Sequence, residues 1–238
     1  MDILYTLKQC DKCDELIYSL RSLSNVPHDK VFLVGGCPSW VDKSKIIHIS
    51  TEQTGTKWRN STNNVKTACK DPRLSDDFIL MNDDFFVLKP IQDPAKEFNL
   101  QQGTIKSVYD YYFGRSASQT NWCKGMRETG ELMQKQGILE PLSYDLHTPM
   151  VFNKHKFLQM FDIAGVQDIA VLHWRSLYGN LFLRNATYFK DVKFNGTGAF
   201  DESKYDKLLS CSNAGFLQIR QFLSNKFPNR SIYEKERI

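Results

Sequence analysis

Short apolar runs alternate with stretches of helical period through the first half of the chain. Residues 2–7 (DILYTL) predict a strand that begins almost at the first residue. Across 13–23 the apolar side chains Leu16, Ile17, Leu20 and Leu23 fall on one helical face, and an acidic first turn suits the positive end of the helix dipole. Residues 30–34 (KVFLV) predict a second strand, stopped by Gly35 and Gly36, and 46–49 (IIHI) a short third. The polar, Asn-rich segment 57–69 is compatible with a helix. Residues 78–81 predict a fourth strand that runs into carboxylates, and 85–88 resumes the β pattern until Pro90.

Strands alternating with helices imply an α/β fold whose sheet is mostly parallel and flanked by helices. Ligands of such sheets lie beyond the carboxyl ends of the strands. Gly35-Gly36 and Asn82-Asp83-Asp84 both stand at such ends, so they are expected to converge on one crevice.

The second half is less regular. Residues 109–115 are aromatic, 122–136 and 169–183 predict helices, and 144–152 reads as a strand interrupted by His147, Thr148 and Pro149. A helix is expected over 154–161, an edge strand over 186–194 and an amphipathic helix over 216–227. No internal repeat and no Gly/Ser linker divides the chain, which predicts a single domain over 1–238.

Composition is that of a soluble globular enzyme, with 41% hydrophobic and 24% charged residues, which excludes a disordered or low-complexity chain. A formal charge of +4 permits a polyanionic partner without requiring one. The first residues do not resemble a signal peptide, and no run approaches the ~18–20 apolar residues of a membrane span. The expectation is a cytoplasmic protein with no membrane partner. Cys10, Cys13, Cys37, Cys69, Cys123 and Cys211 are then expected as free thiols, and the Cys10-x-x-Cys13 spacing lacks the second pair a zinc site needs.

Two adjacent acids, Asp83 and Asp84, interrupt the apolar run DFILMNDDFFVL. Like charges at the end of a buried strand need a compensator, and a divalent cation is the natural one. A hairpin turn is the plainer use of Asn-Asp-Asp, but its flanks are too apolar for a solvated tip. One acid can ligate Mn²⁺ or Mg²⁺ while its neighbour accepts hydrogen bonds from a ribose or from metal-bound water.

With these residues in place, the order strand, helix, strand-Gly35-Gly36, short strand, strand-Asn82-Asp83-Asp84 resembles the nucleotide-sugar-binding half of a GT-A-type glycosyltransferase, a Rossmann-like fold. Asn82-Asp83-Asp84 would match that family's Asp-x-Asp motif, with Asn82 in place of the first acid. NDDFF followed later by His147-Thr148-Pro149 is also similar to the Stealth-type sugar-phosphate transferases, and the whole is most like small glycosyltransferase-like proteins carried by bacteriophages. The resemblance covers roughly residues 2–160.

It implies that 1–100 binds the nucleotide-sugar and 101–238 the acceptor. Asp84 is then the metal ligand, with His147 completing the site. Asn82 and Asp83 become ribose contacts, and Thr6, Leu7, Gly35 and Gly36 the surroundings of the nucleobase. Lys57, Asn60 and Asn64 would meet ribose or phosphate. Asp145 and His147 are the candidate catalytic groups, Asp145 as a base for the acceptor hydroxyl. Tyr109, Tyr111, Tyr112 and Phe113, beside Arg115, Lys124 and Arg127, offer rings on which an acceptor can stack, although rings on a helix are more often core. Trp174 is expected in the core and Arg175 on a solvated face.

The implied reaction is metal-dependent transfer of a sugar from a nucleotide-sugar, a UDP-sugar first, to an acceptor hydroxyl. A hydroxymethylated base in phage DNA, in the host cytoplasm, is one such acceptor. A sugar-1-phosphate transferase and a catalytically silent module that binds nucleotide or glycan stand as alternatives.

Overall fold

A computed structural model describes residues 1–113 and 120–236; Arg115 lies outside the described residues. In chain order the first half holds β1 (Asp2–Leu7), α1 (Asp14–Ser22), β2 (Val31–Gly35), β3 (Ile47–Ile49), α2 (Lys57–Cys69), β4 (Asp77–Met81), β5 (Phe85–Val87), α3 (Pro94–Glu97) and β6 (Leu100–Gln101). The second half holds α4 (Ile105–Phe113), α5 (Asn121–Lys135), β7 (Met150–Asn153), α6 (Lys154–Gln159), α7 (Trp174–Phe182), β8 (Thr187–Tyr188), β9 (Lys193–Phe194), β10 (Leu208–Cys211) and α8 (Asn213–Lys226).

The central sheet has the order β3-β2-β1-β4-β7, with the first four strands parallel and β7 antiparallel to β4. Side chains alternate across it, as the pleat requires. Ile3, Tyr5 and Leu7 of β1 face Leu16 and Leu20 of α1, whereas Leu4 faces the opposite side, with Val65 and Ala68 of α2. Both faces are covered, which is why the strands read as unbroken apolar runs. Burying Leu16 or Leu20 completely contributes about 1.5–3 kcal/mol each. Mixed α/β architecture with a mainly parallel sheet is therefore what the alternation predicts.

The chain after the two acids leaves this sheet. β5 pairs antiparallel with β10, which pairs parallel with β9, forming a second, three-stranded sheet. The other edge of β5 is covered by side chains. Ser19 Oγ donates to Phe85 O (2.6 Å), Val87 N donates to Ser22 Oγ (3.1 Å), and Asn25 Nδ2 donates to Val87 O (2.8 Å). Three polar residues at a spacing of three along α1 and the turn that follows thus stand in for a neighbouring strand, leaving no buried backbone group of β5 orphaned on that side.

The second half departs from expectation at three places. Residues 144–149 are not a strand; only β7 is. Their backbone groups are taken by side chains instead of a ladder: Ser176 Oγ accepts from Tyr144 N, Asp191 Oδ1 accepts from His147 N, and Arg175 donates to the carbonyls of Tyr144 and Thr148. The helix foreseen over 169–183 begins only at Trp174, with His173 at its N-cap. The strand foreseen over 186–194 is two short strands in different sheets, β8 beside β6 and β9 beside β10. Arg175, expected on a solvated face, is buried.

Cys10 and Cys13, expected as free thiols, stand side by side, with Cα atoms 5.9 Å apart, a separation a disulfide can span. Cys13 enters α1 in the left-handed backbone region (φ 44°), a tight turn that returns the chain toward Cys10. Among the described residues no helix is long and apolar enough to cross a membrane.

Candidate active site

Strands β1, β2 and β4 end along one edge of the sheet. Because β7 runs antiparallel to β4, with Met150 opposite Leu80, the residues just before Met150 arrive at that same edge. The Asn82-Asp83-Asp84 turn and the Asp145–Pro149 segment therefore face each other by topology alone.

At the ends of β1 and β2 the two glycines bring backbone onto backbone. Gly35 has φ +98°, and a Cβ there would collide with the Leu7 carbonyl and the Gln53 amide; at Gly36 it would collide with the Lys8 carbonyl. Leu7 O accepts from Gly36 N (2.9 Å) and from Gln53 Nε2 (2.7 Å), so it is already engaged. Thr6 is half-buried beside it.

The polar residues assigned to the donor on α2 mostly build their own loop. Asn64 is buried, accepting from Thr51 Oγ1 (2.6 Å) and donating to Val34 O (3.2 Å). Asn60 closes a ring on Gly55, with N–H and C=O each bonded at 3.0 Å. Lys57 is exposed, its Nζ 4.8 Å from the ring centre of Trp58.

Asp83 and Asp84 sit half-buried in the turn between β4 and β5. Burial pushes the Asp83 carboxyl up to about 7, and repulsion from Asp84 and Glu15 adds to this; Lys8 opposes it. Burial likewise raises Asp84, against the positive influence of Lys193 and His147. The Lys193 ammonium is 3.9 Å from Asp84, and Ser210 Oγ stands 3.5 Å away as a weak donor. The protein's own cations thus fall short of compensating this pair, which is the electrostatic condition that favours a bound divalent cation.

Across the crevice His147 Nδ1 lies 2.7 Å from Asp191 Oδ2, and the backbone N–H groups of His147 (3.0 Å) and Val192 (2.9 Å) both donate to Asp191 Oδ1. Burial raises the Asp191 carboxyl, but the bonds from His147 and the charge beside it hold it below the ordinary carboxylate range. Asp191 is then acceptor only, so Nδ1 is the nitrogen that donates to it, and in the neutral ring Nε2 is the nitrogen that holds the lone pair. His147 keeps 37% of its side chain exposed and lines a cavity of about 910 Å³ with Asn82, Asp191 and Lys193. Tyr111, Tyr112, Trp122 and Tyr188 form further walls of that cavity.

Asp145 belongs to the same cavity but is tied down. Its Oδ2 accepts from His173 Nδ1 (2.8 Å) and Ser176 Oγ (2.5 Å). Burial raises Asp145, yet the charge and hydrogen bond of His173 hold it below its usual value. His173 Nε2 faces the Trp122 carbonyl at 2.9 Å, so both ring nitrogens meet acceptors and both carry protons. Desolvation alone would lower His173; Asp145 raises it. Burial pushes the adjacent Arg175 down to about 10. Asp145 is the counter-ion of a buried imidazolium, a poor arrangement for the base that the sequence suggested.

Among the described residues no three His, Cys, Asp or Glu side chains are arranged to hold a metal ion. His147 is engaged with Asp191 and forms no such group with Asp83 and Asp84 among the described residues. Asp191 and Lys193 were missed altogether. The segment Phe189–Phe194 (FKDVKF) sets an acid between two lysines, which reads as a solvated strand, and nothing in the sequence placed it opposite His147.

No protein-family model matches the sequence, and no curated protein matches it significantly. The fold does match solved structures. The galactosyltransferase LgtC, with donor and acceptor sugar analogs bound, superposes with a TM-score of 0.52 at 9% identity, covering 97% of this chain and 96% of that one. An active-site mutant of LgtC (12% identity, 83% and 76% coverage, TM-score 0.44) and the apo form of mouse xyloside xylosyltransferase 1 (11%, 98% and 96%, 0.41) are more distant. The chain has the mixed α/β fold of GT-A-type glycosyltransferases, with the Asp83-Asp84 turn at the carboxyl edge of its parallel strands.

Proposed function

We propose that this chain is a metal-dependent glycosyltransferase that moves a sugar from a nucleotide-sugar, a UDP-sugar first, to an acceptor hydroxyl. The observation that carries it is the pair of desolvated, undercompensated carboxylates, Asp83 and Asp84, at the carboxyl edge of the sheet in this fold. The donor set, two hard carboxylate oxygens without a third protein ligand, suits Mn²⁺ or Mg²⁺ shared with phosphate oxygens. Such an ion, when bound, neutralises the diphosphate leaving group.

The remaining work falls to this chain's own side chains. Lys193 places a second positive charge beside the leaving group. His147 Nε2 takes the proton of the acceptor hydroxyl as it attacks, and Asp191 stabilises the imidazolium that forms. The Asp145–His173–Arg175 cluster holds the backbone that presents His147. The aromatic walls suit the face of a sugar or of a base such as a hydroxymethylated pyrimidine in DNA.

A sugar-1-phosphate transferase is the second reading, favoured by the meeting of Asn82 and the His-Thr-Pro histidine in one cavity. Incubation with a panel of nucleotide-sugars and Mn²⁺ tests both. Release of nucleoside diphosphate supports sugar transfer, and nucleoside monophosphate supports phosphosugar transfer. Nucleotide binding with no turnover of any donor points to a silent binding module.

A further inference from the structure

Beneath the Asn82–Asp84 turn lies a chain of two buried hydroxyls. Tyr5, in the middle of β1, is fully buried between apolar neighbours, and its phenol oxygen is 2.9 Å from Ser19 Oγ on α1, itself fully buried. Ser19 Oγ lies 2.6 Å from Phe85 O and 3.3 Å from Asn82 O. Those carbonyls flank Asp83 and Asp84 on either side. Carbonyls only accept, so Ser19 gives its single proton chiefly to Phe85 O, with Asn82 O a weaker, more distant acceptor of the same hydrogen, and Tyr5 donates to Ser19. A phenylalanine would fill the same space on β1 without the cost of burying a hydroxyl. The hydroxyl is kept where its only described partner leads to the turn.

We propose that Tyr5 and Ser19 are positioning residues: through Asn82 O and Phe85 O they fix the direction in which the Asp83 and Asp84 carboxylates point, and so set the affinity for the divalent cation without touching it. This rests on the metal-dependent reading above. The relay differs from its neighbours on the same seam, because Ser22 and Asn25 bond Val87, beyond the turn, and Ser22 otherwise bonds only Ser19 O of its own helix. Those residues should matter for holding β5 and not for the cation.

The test is calorimetric binding of UDP by Tyr5→Phe, Ser19→Ala and Ser22→Ala, each with Mn²⁺ and with chelator, alongside their melting temperatures. Tyr5→Phe keeps the ring and so the packing. It and Ser19→Ala should weaken Mn²⁺-dependent UDP binding about 10- to 100-fold, the scale of partners that support ligating carboxylates, and leave binding in chelator unchanged. Ser22→Ala should lower the melting temperature while the Mn²⁺ dependence stays that of the parent. The proposal is overturned if Tyr5→Phe binds UDP with Mn²⁺ as the parent does, or loses affinity equally with and without the metal. A parent whose UDP binding ignores Mn²⁺ would overturn the metal-dependent reading and this proposal together; a metal-dependent parent with an indifferent Tyr5→Phe overturns this one alone.

Discussion

His147 Nδ1 and Asp191 Oδ2 stand 2.7 Å apart, joining the segment before β7 to the segment before β9, 44 residues later in the chain. The contact fixes Nδ1 as the donor of a ring that lines the cavity. On this geometry His147→Ala should lower kcat by about 10²–10⁴-fold, the usual worth of a positioned base, with the KM for nucleotide-sugar little changed. Asp191→Asn should lower kcat as well, because an amide no longer stabilises the imidazolium. Steady-state kinetics on both variants checks this; a large KM effect with intact kcat would assign the pair to substrate binding.

The buried pair of Asp145 and His173 should give stability a particular pH dependence. His173 is raised in the folded protein, so its contribution is complete below its unfolded pKa, about 6.5, and is lost as pH rises through the higher folded value. Asp145 is lowered, so its contribution is complete above about 3.9 and is lost as pH falls through its folded value. The pair therefore stabilises most between about pH 4 and 6.5. The melting temperature of the parent should exceed that of His173→Gln by most in this window, and the gap should narrow as pH rises toward 9. A gap that is constant with pH would show that the imidazolium is absent.

The seam between α1 and β5 predicts a stability effect without an activity effect. Ser22→Ala leaves Val87 N–H buried and without a partner, which costs about 1–3 kcal/mol. Urea denaturation should show a lower midpoint at an unchanged slope, with kcat near that of the parent.

Gly35 has a backbone conformation open mainly to glycine, and its added Cβ would strike the carbonyl of Leu7. Gly35→Ala should lose about 1–3 kcal/mol from strain alone, and donor affinity with it if the ends of β1 and β2 receive the nucleobase. Thermal melting and UDP titration of one sample separate the two effects.

Much of the fold was legible because local patterns decided it. The runs at 2–7 and 78–81 are buried on both faces, and α1 shows its apolar stripe openly. The acids at 83 and 84 were legible for the opposite reason, being out of place in such a run. The partner of His147 was not legible: Asp191 is set opposite it by tertiary folding. The failed strand at 144–149 has the same origin, since Ser176, Arg175 and Asp191 took hydrogen bonds that a ladder would otherwise make. The loop bonds of Asn60 and Asn64 were not legible, because an amide that closes a loop and one that meets a ribose are the same chemical group.

The central claim is that the carboxylate of Asp84 holds a divalent cation and, through it, a nucleotide diphosphate. Calorimetry of UDP with the parent and with Asp84→Ala, with and without Mn²⁺, tests it most directly. The parent should bind UDP far more tightly with Mn²⁺, and Asp84→Ala should bind as weakly as the parent does in chelator while melting cooperatively. Equal, Mn²⁺-enhanced binding by the two proteins would contradict it.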